Sequence, residues 1–222
     1  MATYTINSSK DSYIIQSAGY TTTNSGSATG IGVQSGTGSN NAHLNIAFDI
    51  STFPGDIDSI ISATFKMYYF YTVADAAGRT YRAYRCKRAW TEGDVTWVKY
   101  NAATNWTTAG GSYNANDYDS TMYSDATVPV ISHWMEWTIT DLVTDAITNQ
   151  SNICNLIVVD ATENANPAKQ AFFLSKEYET VGYRPLLTIE YNAGRTAARA
   201  RTASSGRTAS SGRTASSGRV AI

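Results

Sequence analysis

Short runs of β-branched and aromatic residues, each closed by Gly, Asn, Asp or Pro, recur through this sequence and constrain its fold more than any other feature. Such runs predict strands, because these side chains pack well on a pleated surface and turn residues end them. Nine segments fit the pattern: TYTI, SYIIQS, HLNIAFDI, SATFKMYYFYT, TYRAYRC, EWTI, NLIVVD, AFFLSKE and LLTIEY. A length of 222 residues suits one sandwich or barrel, so we predict a single all-β domain.

One segment is predicted to be helical. Within residues 141–148 (DLVTDAIT), apolar side chains recur at helical spacing: Leu142, Val143, Ala146 and Ile147. Thr140 stands directly before this segment and suits the N-cap position. We expect a short helix packed on the sandwich rather than a second domain.

The charge of the chain changes abruptly near Gly194. Residues 1–194 hold 11 Lys and Arg against 18 Asp and Glu, whereas residues 195–222 hold 6 Arg and no acid. The tail reads RTAARA, three copies of RTASSG, and RVAI. Its periodic arginines stand six residues apart: Arg195, Arg201, Arg207, Arg213 and Arg219. We predict a β-sandwich domain over residues 1–194 and a repeat tail over residues 195–222.

The tail is too polar to fold by itself, because its small residues bury too little apolar surface to offset the entropy of ordering. In an extended chain, a period of six places every arginine on one side at a spacing of about 20 Å. We expect these arginines to serve assembly or attachment, with other copies of the chain in a homo-oligomer, predicted to be a trimer, or with other assembly proteins. Charges about 20 Å apart do not match the phosphate density of a duplex, so nucleic acid is not the expected partner.

Neither a membrane nor a redox centre is predicted. The first residues are polar and lack the regions of a secretion leader, and no run approaches the roughly 20 apolar residues that cross a bilayer. Cys86 and Cys154 lie in strand-like surroundings without CxxC or histidine spacing. We expect two buried free thiols; a disulfide between neighbouring strands stays open, because the sequence does not give the Cα separation.

Several motifs follow one another through the body. HLNIAFDISTFP precedes DSIISATFKMYYF, and WTEG at 90–93 precedes VTW at 95–97. WTITDLV, SKE and RPLLTIEY then follow in that order. Jointly these motifs resemble the DNRLRE (disaggregatase-related) domain over about residues 8–191. The resemblance implies a jelly-roll-like antiparallel β-sandwich similar to carbohydrate-binding modules of extracellular polysaccharide-acting proteins.

The aromatic residues supply two kinds of candidate. Trp90 and Trp97 are predicted core anchors, since one such side chain buries about 150–250 Å² and its indole N–H can reach a backbone carbonyl. The polar stretch 100–134 carries aromatic side chains whose exposed faces could stack on sugar rings. The candidate carbohydrate-binding residues are Trp106, Tyr113, Tyr118, Tyr123 and Trp134.

No catalytic constellation is predicted. Glu92 and Asp94 would share a face of a strand, but a glycosidase pair also needs one raised pKa and a set separation across a cleft. We expect Glu92 to accept a hydrogen bond from the backbone or an arginine, and Glu177 and Arg184 to form a pair internal to the fold. His43 has no nucleophile motif near it, so we expect no enzyme activity.

No cofactor or metal is predicted either. Asp117, Asp119 and Asp125 make an oxygen-rich loop that could hold structural calcium, but they lack the order of a calcium-binding loop. We interpret this loop as solvated and acidic.

Three functions are consistent with these sequence features. The first is a structural or adhesion protein of a virion, such as a phage head fibre, decoration or tail-fibre component, with a host-surface or extracellular glycan as partner. The second is a bacterial or archaeal surface or filament protein that binds polysaccharide. The third is a capsid protein with a basic arm that binds nucleic acid. We predict the first, and therefore a location in a virion rather than on a cell surface.

Overall fold

The computed structural model describes residues 1–72 and 75–193. Its eleven strands are β1 (Ala2–Asn7), β2 (Lys10–Ile15), β3 (Gly30–Ser35), β4 (Ala42–Asp49), β5 (Ile60–Thr72), β6 (Thr80–Cys86), β7 (Tyr118–Thr127), β8 (His133–Thr138), β9 (Ile153–Asp160), β10 (Lys169–Leu174) and β11 (Leu186–Tyr191). One helix, α1 (Thr140–Asn149), precedes β9, and short 3-10 turns lie at Ile57–Ser59 and Val181–Tyr183. The tail arginines from Arg195 to Arg219 lie outside the described residues, so the predictions made for them stay predictions.

The strands form one curled antiparallel sheet of two layers. In the first layer, the long β5 pairs with β11 and β10 along one edge and with β8 along the other, while β1 and β3 flank β11 and β10. The second layer runs β2, β4, β9, β6, β7. A single residue pair, Gln34 with Ala42, joins β3 to β4 between the layers. The predicted all-β, jelly-roll-like sandwich is confirmed.

The main core lies between the two layers. Phe48 of β4 meets Phe65 of β5 edge to face, with ring centroids 5.5 Å apart. Trp137 of β8 donates its indole N–H to the Tyr81 carbonyl of β6 at 2.9 Å, and the Tyr81 hydroxyl donates to the Val33 carbonyl at 3.0 Å. These bonds let large aromatic side chains be buried without an unpaired polar group.

A second apolar cluster covers the outer face of the second layer. The segment between β6 and β7 crosses this face and is anchored by three buried tryptophans: Trp90, Trp97 and Trp106. They pack against side chains from the second layer that point away from the main core: Ile14, Ala47, Ile157 and Val159. The burial predicted for Trp90 and Trp97 is confirmed, but the Trp90 indole N–H has no hydrogen-bond partner among the described residues.

The two cysteines are buried free thiols, as predicted. Cys154 points into the main core, whereas Cys86 points into the second cluster on the opposite face of the layer. This geometry excludes a disulfide between them in this fold. Burial raises the pKa of each thiol to about 12, so both stay protonated and unreactive at neutral pH.

Two strands were not predicted. Gly30 and Gly32 interrupt the pattern of β-branched and aromatic residues in β3, and a Cβ at these positions would lie 3.2 Å from Phe70 and 3.0 Å from Phe172. The glycines therefore make room for aromatic rings of the neighbouring strands. The other strand, β7, has mostly polar and solvent-facing side chains, so no apolar alternation reveals it; pairing with β6 holds it in place.

The helix forms where it was predicted, with Leu142, Val143 and Ala146 buried. The predicted N-cap role of Thr140 is wrong. Ile139 occupies the cap position without a side-chain hydrogen bond, and the Thr140 hydroxyl accepts the Ala63 backbone N–H at 3.0 Å instead. That bond ties the helix start to β5. Among the described residues, no helix is long and apolar enough to span a bilayer.

Candidate functional site

Trp106, the first predicted sugar-stacking residue, is buried. Only 4% of it is exposed, and its indole N–H donates to the Thr96 carbonyl at 2.9 Å. Its ring packs against Tyr100, with centroids 5.5 Å apart. No open indole face is left for a sugar, so the predicted sugar-stacking role of Trp106 is corrected. The ring belongs to the second apolar cluster.

Tyr113 borders a buried polar cluster around His43. The Tyr113 hydroxyl donates to Glu163 at 3.0 Å, and its ring lies 5.4 Å from the His43 ring. Burial raises the pKa of this phenol, and the neighbouring Glu163 carboxylate raises it further. Tyr113 therefore remains a neutral hydrogen-bond donor whose hydroxyl is used within the fold.

Tyr118 and Tyr123 form a separate patch on β7. Both rings pack edge to face against Tyr84, at centroid distances of 4.9 and 5.6 Å. The Arg82 guanidinium covers the Tyr123 ring at 4.0 Å and binds both oxygens of Asp125 at 2.7 Å. One face of Tyr123 is thus occupied by arginine, which leaves a small mixed surface rather than a broad apolar one.

Trp134 belongs to a larger aromatic surface on the outer side of the first layer. Its ring lies 5.4 Å from Tyr68 of β5 and is stacked on Tyr183 at 6.5 Å. The Lys66 ammonium lies 4.6 Å from the Trp134 ring centroid. The pairing of β5 with β8 places Tyr68 directly opposite Trp134, so the sheet itself aligns these two rings.

A β-bulge extends this surface along β5. Phe172 pairs with Tyr71 and Phe173 pairs with Tyr69, so Phe70 is an extra residue without a partner on β10. Regular alternation would turn one of Phe70 and Tyr71 inward, but the bulge leaves both exposed, with Tyr71 55% exposed. The Tyr71 ring stacks on Phe172 at 6.3 Å.

Tyr178 joins the two groups of rings. Its ring lies 6.5 Å from Tyr183, and it lines a shallow cavity of about 390 Å³ together with Phe70, Tyr71 and Phe172. We call the combined surface the aromatic face; its members are Tyr68, Phe70, Tyr71, Trp134, Phe172, Tyr178 and Tyr183. The stacked and offset rings can pack against sugar rings, and the neighbouring Lys66 ammonium can donate to sugar hydroxyl or acidic groups.

Most of the aromatic face was missed in the sequence. The run YYFY at 68–71 carried a signal, because four consecutive aromatic residues cannot all face a core in a strand of period two. That signal indicates two outward-facing rings, which are Tyr68 and Phe70, and the bulge adds Tyr71. Tyr178 and Tyr183 lie in irregular segments, where no periodicity assigns a face.

The interpretation of residues 117–125 as a solvated acidic loop is wrong for Asp117. This residue is fully buried and accepts from the Arg88 guanidinium at 2.7 Å and the Thr107 hydroxyl at 3.0 Å. Asp119 accepts from the Thr121 hydroxyl at 2.7 Å, and Asp125 is bound by arginine as described. These carboxylates stabilise the loop and β7 by internal hydrogen bonds.

Glu92 has the structural role predicted for it. It accepts the Asp11 backbone N–H at 2.7 Å and pairs with the Lys176 ammonium at 3.1 Å. The predicted pair of Glu177 and Arg184 is replaced: Glu177 pairs with Lys176, and Arg184 donates to the Tyr178 carbonyl at 2.7 Å.

Ser112, His43 and Glu163 lie in contact and could be mistaken for a catalytic triad. His43 Nε2 lies 2.5 Å from Glu163, and Nδ1 lies 3.3 Å from the Ser112 hydroxyl. Nδ1 is also 2.7 Å from the Gly110 carbonyl, which can only accept a hydrogen bond. A nitrogen that donates to a carbonyl cannot take a proton from serine, so this geometry does not suit nucleophilic catalysis.

The fold and the aromatic face define an antiparallel β-sandwich whose outer surface carries a sheet-aligned set of exposed rings. The chain belongs to the disaggregatase related repeat domain family, whose model matches residues 14–189. This membership confirms the resemblance seen in the sequence motifs, and it suggests an extracellular or surface repeat protein. Comparison with curated proteins found no significant match.

Proposed function

We propose that this chain is a non-catalytic structural or adhesion protein whose body binds polysaccharide through the aromatic face. The bulge at Phe70 is the observation that carries the proposal. It exposes two adjacent rings, and Phe172 extends them across the next strand. Exposing this apolar surface to water is unfavourable without a ligand, and flat rings with nearby donors suit the apolar faces and hydroxyls of sugars.

The absence of catalysis is also part of the proposal. Asp125 and Glu92 are used in ion pairs, and His43 is oriented by a carbonyl. Alginate-, pectin- and peptidoglycan-type substrates should therefore show no turnover, measured as newly formed reducing ends or unsaturated products. Turnover that disappears in Glu92→Gln would contradict this expectation.

We further propose a virion as the setting, in a head fibre, decoration or tail-fibre component. The support is the division of charge, since a body with a net charge of −7 is joined to a repeat tail that holds only basic residues. Such a tail suits attachment to a symmetric particle, which leaves the aromatic face free for a glycan. A cell surface or filament is the alternative setting, and the aromatic face would serve the same purpose there.

Polysaccharide binding is tested by truncating single rings. Tyr71→Ala and Phe172→Ala should each weaken binding roughly tenfold or more, because truncation of an aromatic anchor commonly costs about 2 kcal/mol. Affinity electrophoresis against a panel of neutral and acidic polysaccharides gives the comparison, followed by calorimetry on the best ligand.

Tyr20→Ala is the matched control, because Tyr20 is also 55% exposed but lies outside the aromatic face. Tyr123→Ala tests the separate β7 patch. Loss of binding in Tyr123→Ala, with full binding in Tyr71→Ala and Phe172→Ala, would move the site to β7. Equal loss in Tyr20→Ala would indicate a non-specific effect and overturn the proposal.

A further inference from the structure

Three carboxylates from distant parts of the chain meet in a partly buried cluster. Asp11 lies on β2, Glu92 follows β6, and Glu177 follows β10. One oxygen of each lies within 4.8 Å of the others, and Asp11 is fully buried. Like charges at this distance repel strongly in a poorly solvated site, so the three carboxylates need hydrogen-bond donors or positive charges nearby.

The hydrogen bonds around this group leave two oxygens without partners. Asp11 Oδ2 accepts from the Lys176 backbone N–H at 2.8 Å and from the Ser8 hydroxyl at 3.2 Å. Asp11 Oδ1 and Glu177 Oε2 are buried and accept no hydrogen bond. Burying a carboxylate oxygen without a hydrogen-bond donor costs free energy, and two such oxygens lie in this cluster.

The neighbouring positive charges also do not balance the three carboxylates. Lys176 pairs with Glu92 and Glu177, and so neutralises one of the three carboxylates. The nearby Lys10 ammonium donates to the Trp90 carbonyl and lies 4.2 Å from the Trp90 ring centroid. With the Lys176 and Lys10 ammonium groups counted, the three carboxylates retain one net negative charge, which favours a cation.

We propose that Asp11, Glu92 and Glu177 bind a calcium ion. The donor set consists only of oxygen, which favours a hard cation over zinc or copper. Asp11 Oδ1 and Glu177 Oε2 supply unpaired ligand atoms, and Glu92 supplies a third carboxylate. Calcium takes six to eight oxygens, so water or backbone oxygens would complete the coordination.

Calcium at this position would cross-link segments that are far apart in sequence. Asp11 anchors β2 in the second layer, while Glu177 follows β10 of the first layer. Glu92 holds the start of the loop whose tryptophans form the second apolar cluster. The ion would thus stabilise the junction of the two layers, independently of any polysaccharide.

The test uses the full chain, stripped with EDTA and returned to buffer of matched ionic strength. Calcium chloride should bind with one site per chain in calorimetry. It should also raise Tm by about 5–10 °C at a hundredfold excess over Kd, because a ligand specific for the folded state stabilises it by mass action. Asp11→Asn and Glu177→Gln should each abolish both responses.

Asp119→Asn is the matched control, since it removes a carboxylate from the other oxygen-rich part of the chain and should leave both responses intact. If Asp11→Asn does not fold, Glu177→Gln decides, because Glu177 is partly exposed and tolerates the change better. No heat and no change in Tm for the wild-type chain at 10 mM calcium chloride, about tenfold above the roughly 1 mM Kd of the weakest protein calcium sites, would overturn the proposal. A response retained in both Asp11→Asn and Glu177→Gln would overturn it as well.

Discussion

Trp106→Ala is expected to lower the free energy of unfolding by about 3–5 kcal/mol, the range for truncating a buried tryptophan. The ring is buried, and its N–H bond to the Thr96 carbonyl would be lost with it. Gly111, with a φ of +70°, brings its backbone under this ring, and a Cβ there would lie 3.0 Å from it. Because the surrounding residues pack so closely, they cannot readily close the cavity that removal of the ring would leave.

Urea unfolding followed by circular dichroism gives the measurement, because loss of a tryptophan changes the fluorescence itself. Trp106→Phe is the control: it keeps most of the buried area, so the loss should be about 1–2 kcal/mol, mainly from the unpaired Thr96 carbonyl. If Trp106→Ala kept its stability within about 1 kcal/mol and lost polysaccharide binding, the ring would be a ligand contact rather than a core anchor.

Deleting residues 195–222 is expected to convert the predicted trimer into a monomer. The tail cannot offset its own ordering entropy, so its repeats need the same repeats of symmetry-related chains as partners. Small Ala, Ser and Gly side chains allow close approach about an axis. Arginines on one side would then point outward, where the acidic bodies supply opposite charge.

Light scattering coupled to gel filtration, or native mass spectrometry, measures the change in mass. Removal of a single RTASSG hexad is the matched control, since it shortens the tail while keeping its period and should preserve the trimer. A truncated body that keeps the oligomeric state of the full chain would show that the tail is instead a tether to another assembly protein.

The repeating strand pattern determined much of this fold from the sequence alone. Alternation of apolar and polar residues in β5 and β11 is a local property, and so are the continuous apolar run in β9 and the helical spacing in α1. The burial of Trp90 and Trp97 followed from their position beside a strand, because large aromatic side chains strongly favour the interior. Family membership was readable in the same way, from short motifs that are each contiguous in the chain.

The tertiary structure alone decided the features that depend on neighbours distant in sequence. Gly30 and Gly32 belong to a strand because β3 pairs with β10, and Phe70 and Phe172 fill the space that larger side chains would take. The bulge at Phe70 is set by the register of β10, about a hundred residues later in the chain. Asp11 and Glu177 meet only when the layers pack, since carboxylates 166 positions apart carry no shared local pattern. Periodicity reports which face of its own element a residue occupies, but the partner across that face is fixed only by long-range packing.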